Sequence, residues 1–130
     1  MSKEVFNALL LLIPAMLLSA TGELFLKRGM NEIGEFHITL ETLLPMLLKI
    51  ALNPNILIGF IGFGGGSVFW LSVISRVPLS LAYPMLALSY VIVVVESWIF
   101  LGEGLHPLRI IGSVVVGIGV AIVGLSSGEK

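Results

Sequence analysis

Four stretches of this chain carry no charged residue: 5–22, 50–75, 77–95 and 110–128. The hydrocarbon core of a bilayer is about 30 Å thick and takes about 20 helical residues to cross. Each stretch is therefore a membrane span or most of one. Lipid offers no partner to an unpaired backbone N–H or C=O, and four short segments cannot close a barrel, so the spans must be helices. The pattern predicts an all-α membrane protein, one transmembrane unit over 1–130, with spans at 6–26, 55–74, 79–101 and 107–125.

Composition excludes the alternatives. The chain has 130 residues, 57% of them hydrophobic and only 12% charged, against about 25% charged in a soluble domain. So small a globule has too much surface to hide that much apolar area from water. A net charge of −1 gives no electrostatic case for nucleic acid. With no Cys, there is no thiolate nucleophile, disulfide or Cys-ligated zinc. His37 and His106 fall in loops at no metal-ligand spacing, and Gly64, Gly65 and Gly66 lie mid-membrane rather than in a phosphate-binding loop. The reading is a protein that is not an enzyme and needs no cofactor or metal. The first apolar run is longer than a signal peptide's and lacks an Ala-x-Ala-like site, so it is expected to stay as a span.

Between the first two spans, residues 31–36 are polar and turn-like. A helix follows over 38–52, with Leu40, Leu43, Leu44, Leu47 and Ala51 at helical spacing and Thr42 and Lys49 opposite them. At this length it is short for a span and reads as an interfacial amphipathic helix; an extension of the second span beyond the bilayer is the alternative. Lys3, Arg76 and Lys130 fall on one side, and Lys27, Arg28, Lys49 and Arg109 on the other. That near balance leaves orientation, single or dual, open.

Small residues mark helix contacts. Ser113, Gly117 and Ala121 recur every fourth residue on the last span, a ridge that suits close approach of a second subunit. Gly62 and Gly66 repeat the spacing on the second span.

Ionisable residues inside a span are costly and point to a cavity or a partner. Glu23 precedes Lys27 by one turn, the favourable order for a helix ion pair, so it is either an interfacial pair or part of a site. Glu96 lies about one and a half turns inside the third span, with Ser89 and Met85 on its face and Tyr83, Tyr90 and Ser97 as a neighbouring polar stripe. It is either a functional carboxyl or a hydrogen-bonded structural one.

The stretch at 76–86, Arg-Val-Pro-Leu-Ser-Leu-Ala-Tyr-Pro-Met-Leu, followed by Gly102-Glu103, Pro107, Ile111-Gly112 and Gly117-Ile-Gly119, resembles the drug/metabolite transporter superfamily in its four-helix, EamA-like form. It is most similar to the small subunits that flip aminoarabinose-phosphoundecaprenol, which share that stretch and a Ser-x-x-Gly-x-Leu-x-x-Lys pattern, here Ser19, Gly22, Leu24 and Lys27. The likeness covers the last 55 residues best. Small multidrug resistance transporters are more distant relatives. Their helix-one Glu falls on Ser19 and their helix-three Trp on Leu86, so two hallmarks of cation/proton exchange are absent, and Glu96 departs from both groups.

The resemblance implies a dimeric transporter of the bacterial inner membrane, homodimeric or paired with a similar small subunit. Its substrate would be an undecaprenyl-phosphate-linked sugar or a similar amphiphile. Lys27 and Arg28 would meet the phosphate, Trp70, Tyr83 and Tyr90 the sugar, and Glu23 and Glu96 its amine or hydroxyls. Two alternatives stay open: a proton-coupled exporter of small cationic or polar molecules using Glu23 or Glu96, and a non-transporting accessory subunit of a membrane complex.

Overall fold

A computed structural model describes residues 3–126. Among these the chain forms seven helices and no strand: α1 (Lys3–Leu10), α2 (Leu12–Ile33), α3 (Leu40–Leu52), α4 (Pro54–Ile74), α5 (Leu79–Leu86), α6 (Ser89–Phe100) and α7 (Pro107–Gly124). They make four helical runs long and apolar enough to cross a membrane: α1 with α2, α4, α5 with α6, and α7. Lys130, counted above for orientation, lies outside the described residues.

Two spans are interrupted, both near a proline. Pro14 has no N–H to give to Leu10, and the helix breaks at Leu11, whose own N–H turns back to Ala8 at 3.1 Å. Pro84 likewise loosens the third span. Beyond it, Ala87 bonds Pro84, Leu88 bonds Met85, Tyr90 bonds Ala87 and Val91 bonds Leu88, all at 3.0–3.1 Å and three residues apart. That tight turn separates α5 from α6.

The first span runs further than the charge pattern predicts. Helix α2 continues to Ile33 and stops only where Gly34 takes φ 95°, a conformation that favours glycine. Residues 31–33 are thus helix rather than turn, because polar residues do not end a helix that has left the bilayer. With α1, the run of 31 residues is about 46 Å long, well beyond the hydrocarbon thickness. Its overhang is tied to the start of α4: both Asn53 and Asn55 donate from Nδ2 to Glu32. Asn53 also caps α4, accepting from the N–H groups of Asn55 at 3.0 Å and Ile56 at 3.3 Å, with Pro54 at the first helical position.

Helix α3 fills the interval predicted for it. A Thr39–Thr42 capping box opens it, so Thr42 serves the helix start instead of standing free on a polar face. Leu43, Met46 and Ile50 are half-buried toward the protein, whereas Leu40, Leu44, Leu47 and Leu48 are exposed.

The packing is uneven along the bilayer normal. At the end holding Lys3 and Arg76, Ala8, Leu12 and Met16 of the first span close on Val73, Val77, Leu81 and Ala82 in a single buried cluster. Further along, spans one and two cross with almost no side chains between them. A Cβ on Gly22 would stand 2.7 Å from the Gly59 carbonyl oxygen and the Phe63 nitrogen, and one on Gly66 would stand 2.9 Å from the Ala15 carbonyl. Small residues here let two backbones touch, which in lipid is the main source of helix attraction. The Gly62 and Gly66 repeat therefore serves a contact within the chain. Span four is peripheral, with Val120 its one buried side chain among the described residues.

Candidate functional site

The site follows from the broken third span. Freed by the turn at Ala87–Leu88, α6 leans toward α2, and Glu96 reaches the first span one turn before α6 ends. Its Oε1 accepts a hydrogen bond from the Thr21 hydroxyl at 3.1 Å. Its Oε2 is buried and has no hydrogen-bond partner among the described residues. An unmatched polar atom is expensive in an apolar medium. One oxygen is thus anchored, and the other is available to a proton or to an N–H or O–H donor.

Thr21 is the residue at this candidate site that sequence reasoning missed. Its only signal was its place beside Gly22 in the Ser19-to-Lys27 pattern. The Gly22 crossing holds that turn of α2 in register, and Glu96 meets it from the other side. Met85 does not share the face of Glu96, because the turn redirects it: Met85 Cε is the neighbour a Cβ on Gly124 would meet, at 3.1 Å.

The other residues singled out from the sequence stand elsewhere. Glu23 and Lys27 are both exposed. Arg28 lies over the Phe25 ring, 5.8 Å from its centroid, a cation–π contact on its own helix. Trp70 and Tyr83 meet edge to face at 6.1 Å, joining α4 to α5. Lys27, Tyr83 and Tyr90 line three different hollows. A single pocket shared by Glu23, Lys27, Trp70, Tyr83, Tyr90 and Glu96 is therefore not formed within one chain: the aromatic pair is near one end of the bundle and Lys27 is near the other. On α7, Gly117 has nothing within 4 Å of where a Cβ would be, Ala121 is exposed, and Ser113 donates to the Arg109 carbonyl at 2.7 Å. The ridge is open at Gly117 and Ala121, and Ser113, half-buried, borders the groove between α6 and α7. No group of three or more His, Cys, Asp or Glu among the described residues is arranged to hold a metal, and His106 caps α7 by accepting from the Leu108 N–H at 3.2 Å.

Residues 6–125, which include both spans of the Thr21–Glu96 junction, match the EamA-like transporter family. The chain belongs to that family. Within this EamA-like chain, four helical runs are long and apolar enough to cross a membrane. It is similar to a Proteus mirabilis protein described as a probable 4-amino-4-deoxy-L-arabinose-phosphoundecaprenol flippase subunit ArnF, with 31% identity over 120 residues, 85% of this chain and 86% of that protein. Proteins described as the corresponding ArnE subunit are similar over shorter stretches, at 31% identity in Aeromonas salmonicida and 36% in Klebsiella pneumoniae. Those alignments cover 55% and 48% of this chain, and 63% and 56% of the relatives' own length. No solved structure matches this EamA-like chain.

Proposed function

We propose that this protein moves a polyprenyl-phosphate-linked sugar, or a closely similar amphiphile, across the bacterial inner membrane as one half of a dimer. The observation that carries the reading is the half-satisfied Glu96 carboxyl inside the third span, one oxygen held by Thr21 and the other buried without a partner among the described residues. A carboxylate oxygen at that depth suits a headgroup amine or hydroxyl, and the amino sugar in the relatives' names supplies both.

Dimensions support the dimer. Four spans leave no room for a headgroup path among themselves, and the ridge of Ser113, Gly117 and Ala121 is a surface on which a second small subunit can pack. In this mechanism the polar headgroup crosses between subunits while the tail stays in lipid. Lys27 meets the phosphate near the surface by a charge-assisted contact. Tyr83, Tyr90 and Trp70 contact the sugar at successive depths, and Glu96 receives its amine midway. Glu23, exposed on α2 one turn from Lys27, guides the amine at entry.

The test is headgroup translocation in sealed liposomes containing the protein, alone and with a second small subunit. Amine-bearing polyprenyl phosphosugar is loaded, and protection of its amine from an impermeant amine reagent is followed in time. Protein-dependent loss of protection that disappears in Glu96→Gln supports the reading. Translocation no faster than in empty liposomes under both conditions overturns it, and proton flux driven by small cations would instead indicate an exporter.

A further inference from the structure

The same bend that carries Glu96 to α2 opens a crevice on the opposite flank of α6. Helix α5 stays against α7, where Val120 is buried and Gly124 lies under Met85. Helix α6 tilts away to meet Thr21, so α6 and α7 part toward the end that holds Lys27 and His106. The mouth of the crevice, about 180 Å³, is lined by Tyr90, Ser97, Trp98, Glu103 and Arg109. It continues into an apolar groove of about 460 Å³ that shares Val94 and Leu105 with it and is walled by Val91, Val95, Ile110, Val114 and Ser113, the last at the edge of the ridge offered to a second subunit.

Local geometry fixes the two charges at the mouth. Gly102 takes φ 71°, and this turn brings the Glu103 N–H back to the Ser97 carbonyl at 3.2 Å. Glu103 is thereby held over the end of α6. Arg109 sits in the first turn of α7, its N–H on the His106 carbonyl at 2.9 Å. An anion and a cation thus face one small cleft, with the exposed ring of Trp98 beside them near the end of the span, as aromatic residues stand at a membrane surface, and the exposed ring of Tyr90 deeper, at the start of α6.

We infer that this crevice is a lipid-docking site for an amphiphile whose headgroup carries both a phosphate and a primary amine. The phosphate sits on the Arg109 guanidinium, whose fork matches two phosphate oxygens. The amine sits on the Glu103 carboxylate, and the tail lies along the valine groove. Charge complementarity selects the occupant. A simple cation would be repelled by Arg109, an anion without an amine would leave Glu103 unmatched, and the apolar groove alongside calls for a hydrocarbon chain. The inference rests on the lipid-linked reading above and adds a loading site to it: the amphiphile docks on one flank of α6 before its headgroup reaches Glu96 on the other.

Trp98 lines the mouth, and Trp70 is the only other tryptophan. Trp70→Phe therefore leaves Trp98 as sole reporter. The full chain is placed in phosphatidylcholine vesicles, and phosphatidylethanolamine or phosphatidylglycerol with brominated chains is titrated in, reading quenching of Trp98. Phosphatidylethanolamine, which has both groups, quenches at a several-fold lower fraction than phosphatidylglycerol. Arg109→Gln weakens both by about tenfold, the size expected for one hydrogen bond to a charged group. Glu103→Gln removes the difference between the two lipids.

Equal quenching by both lipids in the parent, or no change in Arg109→Gln, overturns the site. So does a disulfide formed between copies carrying Val94→Cys and Val114→Cys together with headgroup-independent quenching, which would make the crevice a subunit seam. The two readings fail separately. Headgroup-selective quenching in a protein that moves no lipid leaves the docking site standing without the transport, and transport that ignores Arg109→Gln and Glu103→Gln does the reverse.

Discussion

The Thr21 hydroxyl donates to Oε1 of Glu96 at 3.1 Å, joining the first and third spans across 75 positions of sequence. Among the described residues, the other side-chain hydrogen bonds between helical runs join the end of α2 to the start of α4 at Glu32, so this one alone reaches the third span. It ties the orientation of the bent helix α6 to the rigid crossing of spans one and two.

Removing the donor while keeping the volume should loosen that tie. Thr21→Val is expected to lower stability by about 1 kcal/mol, the range of hydrogen bonds between membrane helices, and to slow translocation. Thr21→Ser keeps the hydroxyl and should retain both. Thermal unfolding in mild detergent, read beside transport, checks this; a Val variant as stable and active as the Ser variant would detach Thr21 from the site.

Glu96→Gln keeps an oxygen able to accept from Thr21, so folding and dimer fraction should stay near the parent's while transport is lost. Glu96→Ala leaves Thr21 without its acceptor and should lose stability as well. The three readouts are taken side by side, with Glu23→Gln, an exposed position, as comparison. Near-normal transport by Glu96→Gln would remove this carboxyl from the mechanism.

The crossing of spans one and two makes a sharper structural prediction. Gly22→Ala places its methyl 2.7 Å from the backbone of α4 and should destabilise by about 1–3 kcal/mol, as overpacking does. Gly64→Ala, on α4 itself but with open space at its Cβ position, should be neutral or slightly stabilising through helix propensity. Resistance to unfolding by dodecyl sulfate measures both.

On α7, a Gly117→Leu side chain enters open space within its own chain, so the monomer should fold as before. Its effect should fall on association, because the bulky side chain blocks close approach of a second subunit. Cross-linking at matched dilution should show a lower dimer fraction; an unchanged fraction would move the subunit contact off this ridge.

Helix α3 should lie along the membrane surface. Cysteines replacing Glu41 and Lys49 should react with impermeant thiol reagents, and those replacing Leu44 and Leu47 should be shielded despite their exposure from the protein. Uniform reaction at all four positions would show a segment surrounded by water.

Much of the architecture was legible in the chain itself, for a physical reason: lipid penalises charge and unpaired backbone so heavily that four uncharged stretches must be four helices. The caps at Asn53, Thr39 and His106 and the prolines near the breaks are local chemistry and equally readable. Register between spans is not local. Whether Gly62 faces Gly22 or lipid, and whether Glu96 finds Thr21, Tyr83 or nothing, depends on how two helices cross, and hydropathy is the same for every rotation of an apolar helix. The third span was read as one helix over 79–101; only the packed bundle shows that it loosens beyond Pro84, with α5 staying with α7 while α6 goes to α2. That choice separates Glu96 from Met85 and leaves Tyr90, Glu103 and Arg109 around a crevice of their own. The sequence determined what the membrane demands of each helix; the contacts between helices, where small differences in backbone approach decide which side chains meet, determined the site.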